Sequence, residues 1–329
     1  MRREIAAICA AAALAASALA EPANPGPAPE AGAELRAAID ALKAYHINRD
    51  KADWAKLEAE AFAQARDAKT AADTYPAIRT LINALGVKHT FLQSADSFAA
   101  MTGNRRVGSA APPSFDPPEA TLLDGRVALL RVPGFMGGEA NDRAYVGALR
   151  QALNRFAARG ICRYAVDLRG NWGGNMYPML NGLAALLGTP PYGYWIVSGK
   201  EHPFGGGDSP AQWDKGPPLA PYADAVAHIA HPHVAVLTDG GTASSGEFTA
   251  IAFKGLPYAR FFGTQSGGFV TTNSPFALPD GARLIVSVGW SADRLHRAYR
   301  EALIPDVQSA SGQPTVDAAR NWLKSQHCR

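Results

Sequence analysis

Apolar positions along the chain recur at two spacings, and their order predicts an α/β protein that follows a helical unit. From 33 to 88 the chain is rich in alanine and its apolar residues fall at helical spacing, which predicts a helical N-terminal subdomain. Beyond it, apolar runs typical of buried strands, at 126–132, 163–168 and 234–237, alternate with stretches of helical spacing at 141–159, 179–187 and 247–255. This alternation predicts βαβ units, and therefore a parallel sheet with right-handed crossovers.

Three further stretches carry other patterns. A β-hairpin is predicted over 278–290, because Asp280-Gly281 interrupts two apolar runs. Residues 103–118 are rich in glycine, proline and serine and are expected to form a loop. Residues 190–221 combine many glycines and prolines with aromatic residues, which predicts a long surface excursion.

The first residues have the pattern of an export signal. Arg2 and Arg3 precede an apolar stretch from Ile5 to Leu19, and the exit is Ala18-Leu19-Ala20, which predicts a signal peptide over residues 1–20. A membrane anchor is the alternative, but the apolar core is too short for a bilayer of about 30 Å. Residues 21–32 are rich in proline and are expected to be a disordered leader. We therefore expect a periplasmic or secreted protein without stable membrane insertion after cleavage.

Charge and cysteine content narrow the possible partners. The formal net charge of +3 includes Arg2 and Arg3, and no run of Lys or Arg suggests a nucleic-acid partner. After signal removal Cys162 and Cys328 remain, and in an oxidising compartment they could pair and tie the C-terminus to the body. The sequence leaves this pairing open. Two distant cysteines without neighbouring ligands make a poor zinc site, and no metal is predicted.

Two strand–turn–helix junctions carry the candidate chemistry. The first contains Asp167-Leu168-Arg169-Gly170-Asn171-Trp172-Gly173-Gly174, and the second contains Asp239-Gly240-Gly241-Thr242-Ala243-Ser244-Ser245-Gly246-Glu247. Both follow the carboxyl ends of predicted parallel strands, where open α/β folds build their sites. Glycine-rich turns before helices present free N–H groups to a phosphate or a developing oxyanion. Phosphate is less suited, because neither turn has a P-loop or dinucleotide-binding spacing.

A serine in the second junction can act as a nucleophile or as a helix N-cap. A nucleophile also needs a base. Of the eight histidines, His89 stands apart, because it follows the helical subdomain and precedes the predicted sheet, whereas the others lie in polar or loop surroundings. A lone histidine more often has a structural role, so position alone does not identify His89 as the base.

The two junctions resemble the signatures of a known family. Residues 167–174 resemble the Asp-Leu-Arg-x-Asn-x-Gly-Gly signature of the tail-specific (carboxyl-terminal processing) proteases and the tricorn core protease, and 240–247 resemble their serine loop. Residues 255–263, 278–281 and 304–307 resemble later landmarks in the same order. The resemblance implies a crotonase-like (Clp protease/crotonase) α/β superhelix, with a serine-hydrolase domain over residues 89–325.

Two departures from the tail-specific pattern favour the tricorn-like branch. Phe269 stands where tail-specific proteases place a general-base lysine, and Lys254 on the serine helix is expected to be a solvated surface residue. Too few residues separate His89 from Gly125 for an inserted PDZ module. In addition, Gly86-Val87-Lys88-His89-Thr90 resembles the histidine segment of the tricorn enzyme.

The resemblance assigns roles to individual residues. Ser244 is the expected nucleophile and His89 its base, and Gly173 and Ser245 supply the N–H groups of the oxyanion hole. Glu301 is the candidate supporting acid, although a surface charge is an equal reading.

Three other residues of the junctions are expected to be structural. Asp167 and Arg169 fix their turn, and Glu247 serves the first turn of its own helix.

The sequence thus predicts an exported serine peptidase that hydrolyses a peptide or protein substrate through an acyl-enzyme, without metal or organic cofactor. A non-catalytic or esterase-like member of the same fold, binding an apolar ligand, is the alternative. A crotonase-type acyl-CoA enzyme fits less well, because it would not need Ser244 and His89 together. Cleavage preference and oligomeric state are not determined by the sequence.

Overall fold

The computed structural model describes residues 26–102, 116–205 and 228–328. The predicted signal peptide lies outside the described residues, as do residues 21–25 of the predicted leader, most of the predicted loop and the end of the predicted excursion. The helices are α1 Pro29–Tyr45, α2 Trp54–Gln64, α3 Tyr75–Ala84, α4 Ala95–Thr102, α5 Glu139–Ala158, α6 Met176–Gly182, α7 Ala184–Leu187, α8 Ser245–Ile251 and α9 Gln313–Ser325. The strands are β1 Phe91–Gln93, β2 Glu119–Leu123, β3 Val127–Arg131, β4 Arg163–Asp167, β5 Gly193–Val197, β6 Lys200–Phe204, β7 His233–Thr238, β8 Ala259–Gly263, β9 Thr271–Ala277, β10 Arg283–Asp293, β11 Ala298–Tyr299 and β12 Val307–Gln308.

The predicted parallel sheet is confirmed. Its strand order is β12-β8-β7-β4-β3-β2, with parallel pairing from β12 to β3 and β2 added antiparallel to β3. Alternate residues of a strand point to opposite faces, so Val166 and Val236 pack with α5, α6 and α8, whereas Ala165 and Leu237 pack with α9. Burial on both faces explains why these strands are continuous apolar runs.

A second, antiparallel sheet surrounds β10, which pairs with β1, β5, β9 and β11, while β6 pairs with β5. The prediction of a surface excursion over 190–221 is wrong for 193–204, which form the β5–β6 hairpin. Ser198 and Gly199 both have positive φ and make its two-residue turn. Trp195 contacts Phe204 and Phe248, so the aromatic residues of this stretch belong to the core.

The β9–β10 hairpin confirms the turn that Asp280-Gly281 predicts, but its first strand starts earlier, at Thr271. The helical subdomain packs on this sheet through residues such as Leu35 and Ile78 against Leu284 and Val286.

The helical subdomain also begins earlier than predicted. Helix α1 starts at Pro29, so residues 29–32, predicted to belong to a disordered leader, are helical. Proline suits the first turn of a helix, and the side chain of Ala31 is fully buried in the subdomain core.

None of the helices in the described part of the chain combines the length and apolarity needed to cross a membrane.

Cys162 and Cys328 form a disulfide with a Cα–Cα distance of 5.9 Å, which settles the pairing that the sequence left open. It joins the residue before β4 to the segment that follows α9, across a sequence separation of 166 residues. Closing so long a loop restricts the unfolded chain, so we expect the double variant Cys162→Ala/Cys328→Ala to lose about 3–5 kcal/mol of unfolding free energy. Urea unfolding without reductant, with the m-value fitted for each protein, measures the difference. Reductant should destabilise the wild type and leave the double variant unchanged; equal free energies of unfolding without reductant would contradict the prediction.

Candidate active site

Ser244 lies at a strained turn between β7 and α8. Its φ of +51° and ψ of −121° place a non-glycine residue in a region that costs about 1–3 kcal/mol. Two bonds hold this conformation: the Ser244 N–H donates to Glu247 Oε2 at 3.0 Å, and the Ala243 N–H donates to the Asn171 carbonyl at 2.8 Å. A sharp strand-to-helix turn of this kind is the arrangement in which hydrolases present a nucleophile.

His89 lies within hydrogen-bond distance of Ser244. The His89 Nε2 to Ser244 Oγ distance is 3.0 Å, although 155 residues separate the two in sequence. On the other side of the ring, Nδ1 lies 2.9 Å from the Thr271 carbonyl oxygen and 3.0 Å from Thr271 Oγ1. Because a carbonyl can only accept, Nδ1 carries the proton and Nε2 presents its lone pair to Ser244. The pair therefore has the geometry of a nucleophile and its base.

The surroundings of His89 favour its neutral form. The side chain is 3% exposed, and burial lowers the pKa of His89 to about 4. The hydrogen bond to the Thr271 carbonyl opposes this shift, and the charge of Lys88 adds to it. At neutral pH the imidazole is consequently unprotonated and able to take a proton.

The structure does not bring Glu301 to His89. Glu301 is exposed, in the segment before β12, and the carbonyl and hydroxyl oxygens of Thr271 share the single N–H of Nδ1. Nearby, the Leu303 N–H donates to Ser266 Oγ and fixes the backbone of this segment. The group that orients the imidazole is thus a neutral main-chain carbonyl with a hydroxyl, in the position where a carboxylate was expected.

Gly173, a predicted oxyanion donor, lies against Ser244. Its φ is +106°, and a Cβ added there would come within 2.8 Å of Ser244 Cβ and 3.0 Å of the Ser245 nitrogen. Its own N–H, however, donates to Asn171 Oδ1 at 3.0 Å. Among the described residues, the N–H groups of Ser245 and Gly174 have no acceptor. Ser245 is therefore ready to donate to an oxyanion, and Gly174 is a further candidate that the sequence did not single out.

Glu247 does more than serve the first turn of its own helix. Its fully buried carboxylate accepts from the N–H groups of Ser244, Gly268 and Phe269, at 3.0, 2.7 and 2.6 Å, and from the Ser266 hydroxyl. Burial raises the pKa of Glu247, and the four donors oppose that shift. The carboxylate thereby joins the serine turn to the loop over 266–269.

Neither Phe269 nor Lys254 reproduces the general-base lysine of the tail-specific proteases. The Phe269 ring meets the His89 ring edge-on with centroids 5.4 Å apart, and the Lys88 ammonium lies 4.7 Å from the Phe269 ring centroid. Lys254 lies beyond the C-terminal end of α8 and is partly buried over the Phe261 ring, so the expectation of a solvated lysine on the serine helix is wrong. Burial lowers the pKa of Lys254.

The first junction is held as expected. The Arg169 guanidinium donates to both carboxylate oxygens of Asp167, at 2.7 and 2.6 Å. Asn171 Nδ2 donates to the Val132 carbonyl at 2.8 Å, which fixes the turn beside Ser244.

Sequence reasoning missed two site residues, Thr271 and Asn273. Besides the contacts of Thr271 with Nδ1, Asn273 Nδ2 lies 2.9 Å from His89 Nε2. Both residues belong to β9, which was not predicted as a strand. Residues 271–274 are polar throughout, so no alternation in the sequence distinguished these two positions from their neighbours.

Known proteins are similar to this chain over most of its length. A family model described as Peptidase family S41 matches residues 126–309, a span that contains both junctions but not His89. The nisin-resistance protein of Lactococcus lactis subsp. lactis is 27% identical over 304 residues, which cover 89% of this chain and 86% of that protein.

Two solved structures share the fold. A lipoprotein from Streptococcus agalactiae matches with a TM-score of 0.75 and 24% identity, covering 91% of this chain and 97% of that one. The photosystem II D1 C-terminal processing protease matches with a TM-score of 0.58 and 17% identity, covering 91% and 98%. The mixed α/β fold is therefore one that is found in processing peptidases.

Proposed function

Since the chain belongs to peptidase family S41 and is therefore a serine peptidase, we propose that it is exported and hydrolyses peptide bonds through an acyl-enzyme on Ser244. The observation that carries the assignment of residues is the 3.0 Å contact between His89 Nε2 and Ser244 Oγ at a strained turn. His89 lies outside the matched family span, so its role rests on this geometry.

The contacts support a sequence of proton transfers. His89 Nε2 takes the proton of Ser244 Oγ as the oxygen bonds to the carbonyl carbon, and the carbonyl electron pair moves to its oxygen. The Ser245 N–H donates to this oxyanion, with Gly173 or Gly174 as the second donor; loss of one such donor typically slows a hydrolase about 10²–10³-fold. Nε2 then protonates the leaving amine, and water releases the acyl group by the same route.

Export is supported by three observations. Residues 5–19 are apolar behind two arginines, the structure contains a disulfide, and one structural relative is a lipoprotein. A periplasmic or extracellular location follows. The relative named for nisin resistance makes nisin a reasonable first test substrate. We also assign the fold to the crotonase-like superhelix, which the successive βαβ units support.

Labelling with a fluorophosphonate probe tests the nucleophile. Wild type and Ser245→Ala should label, whereas Ser244→Ala should not. Ser245 is the matched control, because it neighbours Ser244 in the same turn but its hydroxyl donates to the Gly174 carbonyl. Labelling that survives in Ser244→Ala would overturn the assignment. Absence of labelling in every variant would favour a non-catalytic binding protein.

Two assays distinguish a peptidase from an esterase. The first follows cleavage of a mixed peptide pool by mass spectrometry, and the second measures hydrolysis of a p-nitrophenyl ester. The proposal expects new peptide termini that disappear in Ser244→Ala. Ester turnover without peptide cleavage would contradict it.

A further inference from the structure

Strand β9 contacts both nitrogens of the catalytic imidazole. Thr271 and Asn273 are two residues apart, so their side chains lie on one face of the strand. Thr271 bonds Nδ1 through its carbonyl and hydroxyl, and Asn273 Nδ2 lies 2.9 Å from Nε2. The ring is consequently held at both edges by a single strand.

This arrangement is built into the second sheet. The register of the β9–β10 pair shifts between Ser287, opposite Asn273, and Gly289, opposite Thr272, which leaves an extra residue on β10. Such bulges bend and twist a strand pair and redirect side chains near functional sites. Ser287 also bonds Thr271 Oγ1 at 3.0 Å, so the bulge and the imidazole support are connected.

Two donors, Ser244 Oγ and the Asn273 amide, lie beside Nε2, which has a single lone pair. Because Nδ1 is protonated against the Thr271 carbonyl, Nε2 can only accept, and the Asn273 amide competes with Ser244 Oγ for it. After Ser244 transfers its proton, Nε2 becomes a donor, and an amide NH₂ can no longer bond to it. A half-turn of the Asn273 side-chain amide places Oδ1 there as an acceptor.

We propose that Asn273 is a catalytic residue beside Ser244 and His89, whose amide donates to the neutral imidazole and accepts from the imidazolium by turning. This inference rests on the proposed function. It accounts for a site in which no carboxylate of the described residues is a hydrogen-bond partner of His89: the imidazolium receives a carbonyl at Nδ1 and an amide oxygen at Nε2. In the acylation step the proton passes from Ser244 Oγ to Nε2, is shared with Asn273 Oδ1, and leaves on the departing nitrogen.

The charged groups near His89 are few in the described part of the site. Lys88 precedes it in the chain and lowers its pKa, and Glu247 is bound by four donors beside Ser244. The β9 side contributes the neutral Thr271 and Asn273. A new carboxylate at position 273 would therefore be unpaired and would act directly on the imidazole.

The rate of fluorophosphonate labelling as a function of pH tests the inference. Asn273→Ala is expected to slow labelling at pH 7 about 10- to 100-fold, the range for a hydrogen bond to a charged group. Asn273→Asp should move the acid limb of the profile upward by at least about one pH unit, because a neighbouring carboxylate raises a histidine pKa by about 1–3 units. A merely structural residue would leave that limb in place.

Ser274→Asp is the matched control, because it adds the same charge one residue away on the opposite face of β9. It should keep the wild-type limb. Equal shifts in both aspartate variants, or none in Asn273→Asp, would overturn the inference. Thermal unfolding shows whether each variant is folded. If Asn273→Asp does not fold, a labelling rate in Asn273→Ala above half that of wild type would overturn the inference. Labelling that persists in Ser244→Ala would instead overturn the proposed function.

Discussion

Replacing Glu247 by alanine is expected to lower the free energy of unfolding by about 3–5 kcal/mol and to slow labelling of Ser244 at least about 10²-fold. The substitution leaves the buried N–H groups of Ser244, Gly268 and Phe269 without their acceptor, and each such orphan costs about 1–3 kcal/mol. The activity loss follows because Glu247 holds the Ser244 backbone at its positive φ, and small misplacements of reacting groups have large kinetic costs.

Glu247→Gln should be nearly as harmful, despite its equal size. Both carboxylate oxygens accept from two donors each, so a glutamine must direct its NH₂ group at two of them. Urea unfolding and the labelling rate measure the two effects. Glu301→Gln is the control, because Glu301 is exposed; its stability should stay within about 0.5 kcal/mol of wild type, with an unchanged labelling rate. A Glu247→Gln variant as stable as wild type would show that the carboxylate is not required.

The parallel sheet was predictable, whereas the second sheet was not, and the reason is burial. Strands β3, β4 and β7 are covered on both faces and appear in the sequence as continuous apolar runs. Strand β6 contains charged residues and a proline because it lies at the edge of its sheet, and β5 begins with a glycine. Composition alone therefore indicated a loop. The two strands pair with each other through a local turn, but the pairing of β5 with β10 is a long-range contact that local periodicity does not encode.

The same distinction applies to the site. Ser244, Gly173 and Ser245 were identifiable because a glycine-rich turn has a strong local pattern, and His89 because a family resemblance singled it out. Thr271 and Asn273 depend on how β9 passes the imidazole, which is a tertiary relation. The expectation for Glu301 assumed that an imidazolium needs a carboxylate, but in this chain the corresponding position is filled by a backbone carbonyl that any residue could provide.

Acidic conditions affect the fold as well as the site. Burial lowers the pKa of His46 to about 4, as it does for His89. An unfolded chain binds protons at these histidines below about pH 6.5, and the folded chain does so only near pH 4. The contribution of these two neutral histidines to the free energy of unfolding is therefore fully present above about pH 6.5 and declines as the pH falls toward 4. Any kinetic measurement in this range needs a parallel measurement of the folded fraction.

Replacing His89 by glutamine is expected to lower kcat/KM at neutral pH by about 10³–10⁴-fold, because Ser244 loses its base while the oxyanion donors remain. In the wild type, kcat/KM should rise with pH to half its maximum near pH 4, where His89 loses its proton, and then stay level through neutrality. His296→Gln is the control, since His296 is exposed and contacts Tyr194 and Glu201 away from the serine turn.

The position of the acid limb identifies the base. A base must be unprotonated to act, so a limb near pH 4 that reverses on return to neutral pH, with the protein folded throughout, indicates His89. Lys88 is the competing cation beside the site, where its ammonium contacts the Gly267 carbonyl and the Phe269 ring. If Lys88 were the base, His89→Gln would keep more than a tenth of wild-type kcat/KM. That result would exclude the Ser244–His89 pair as the catalytic unit.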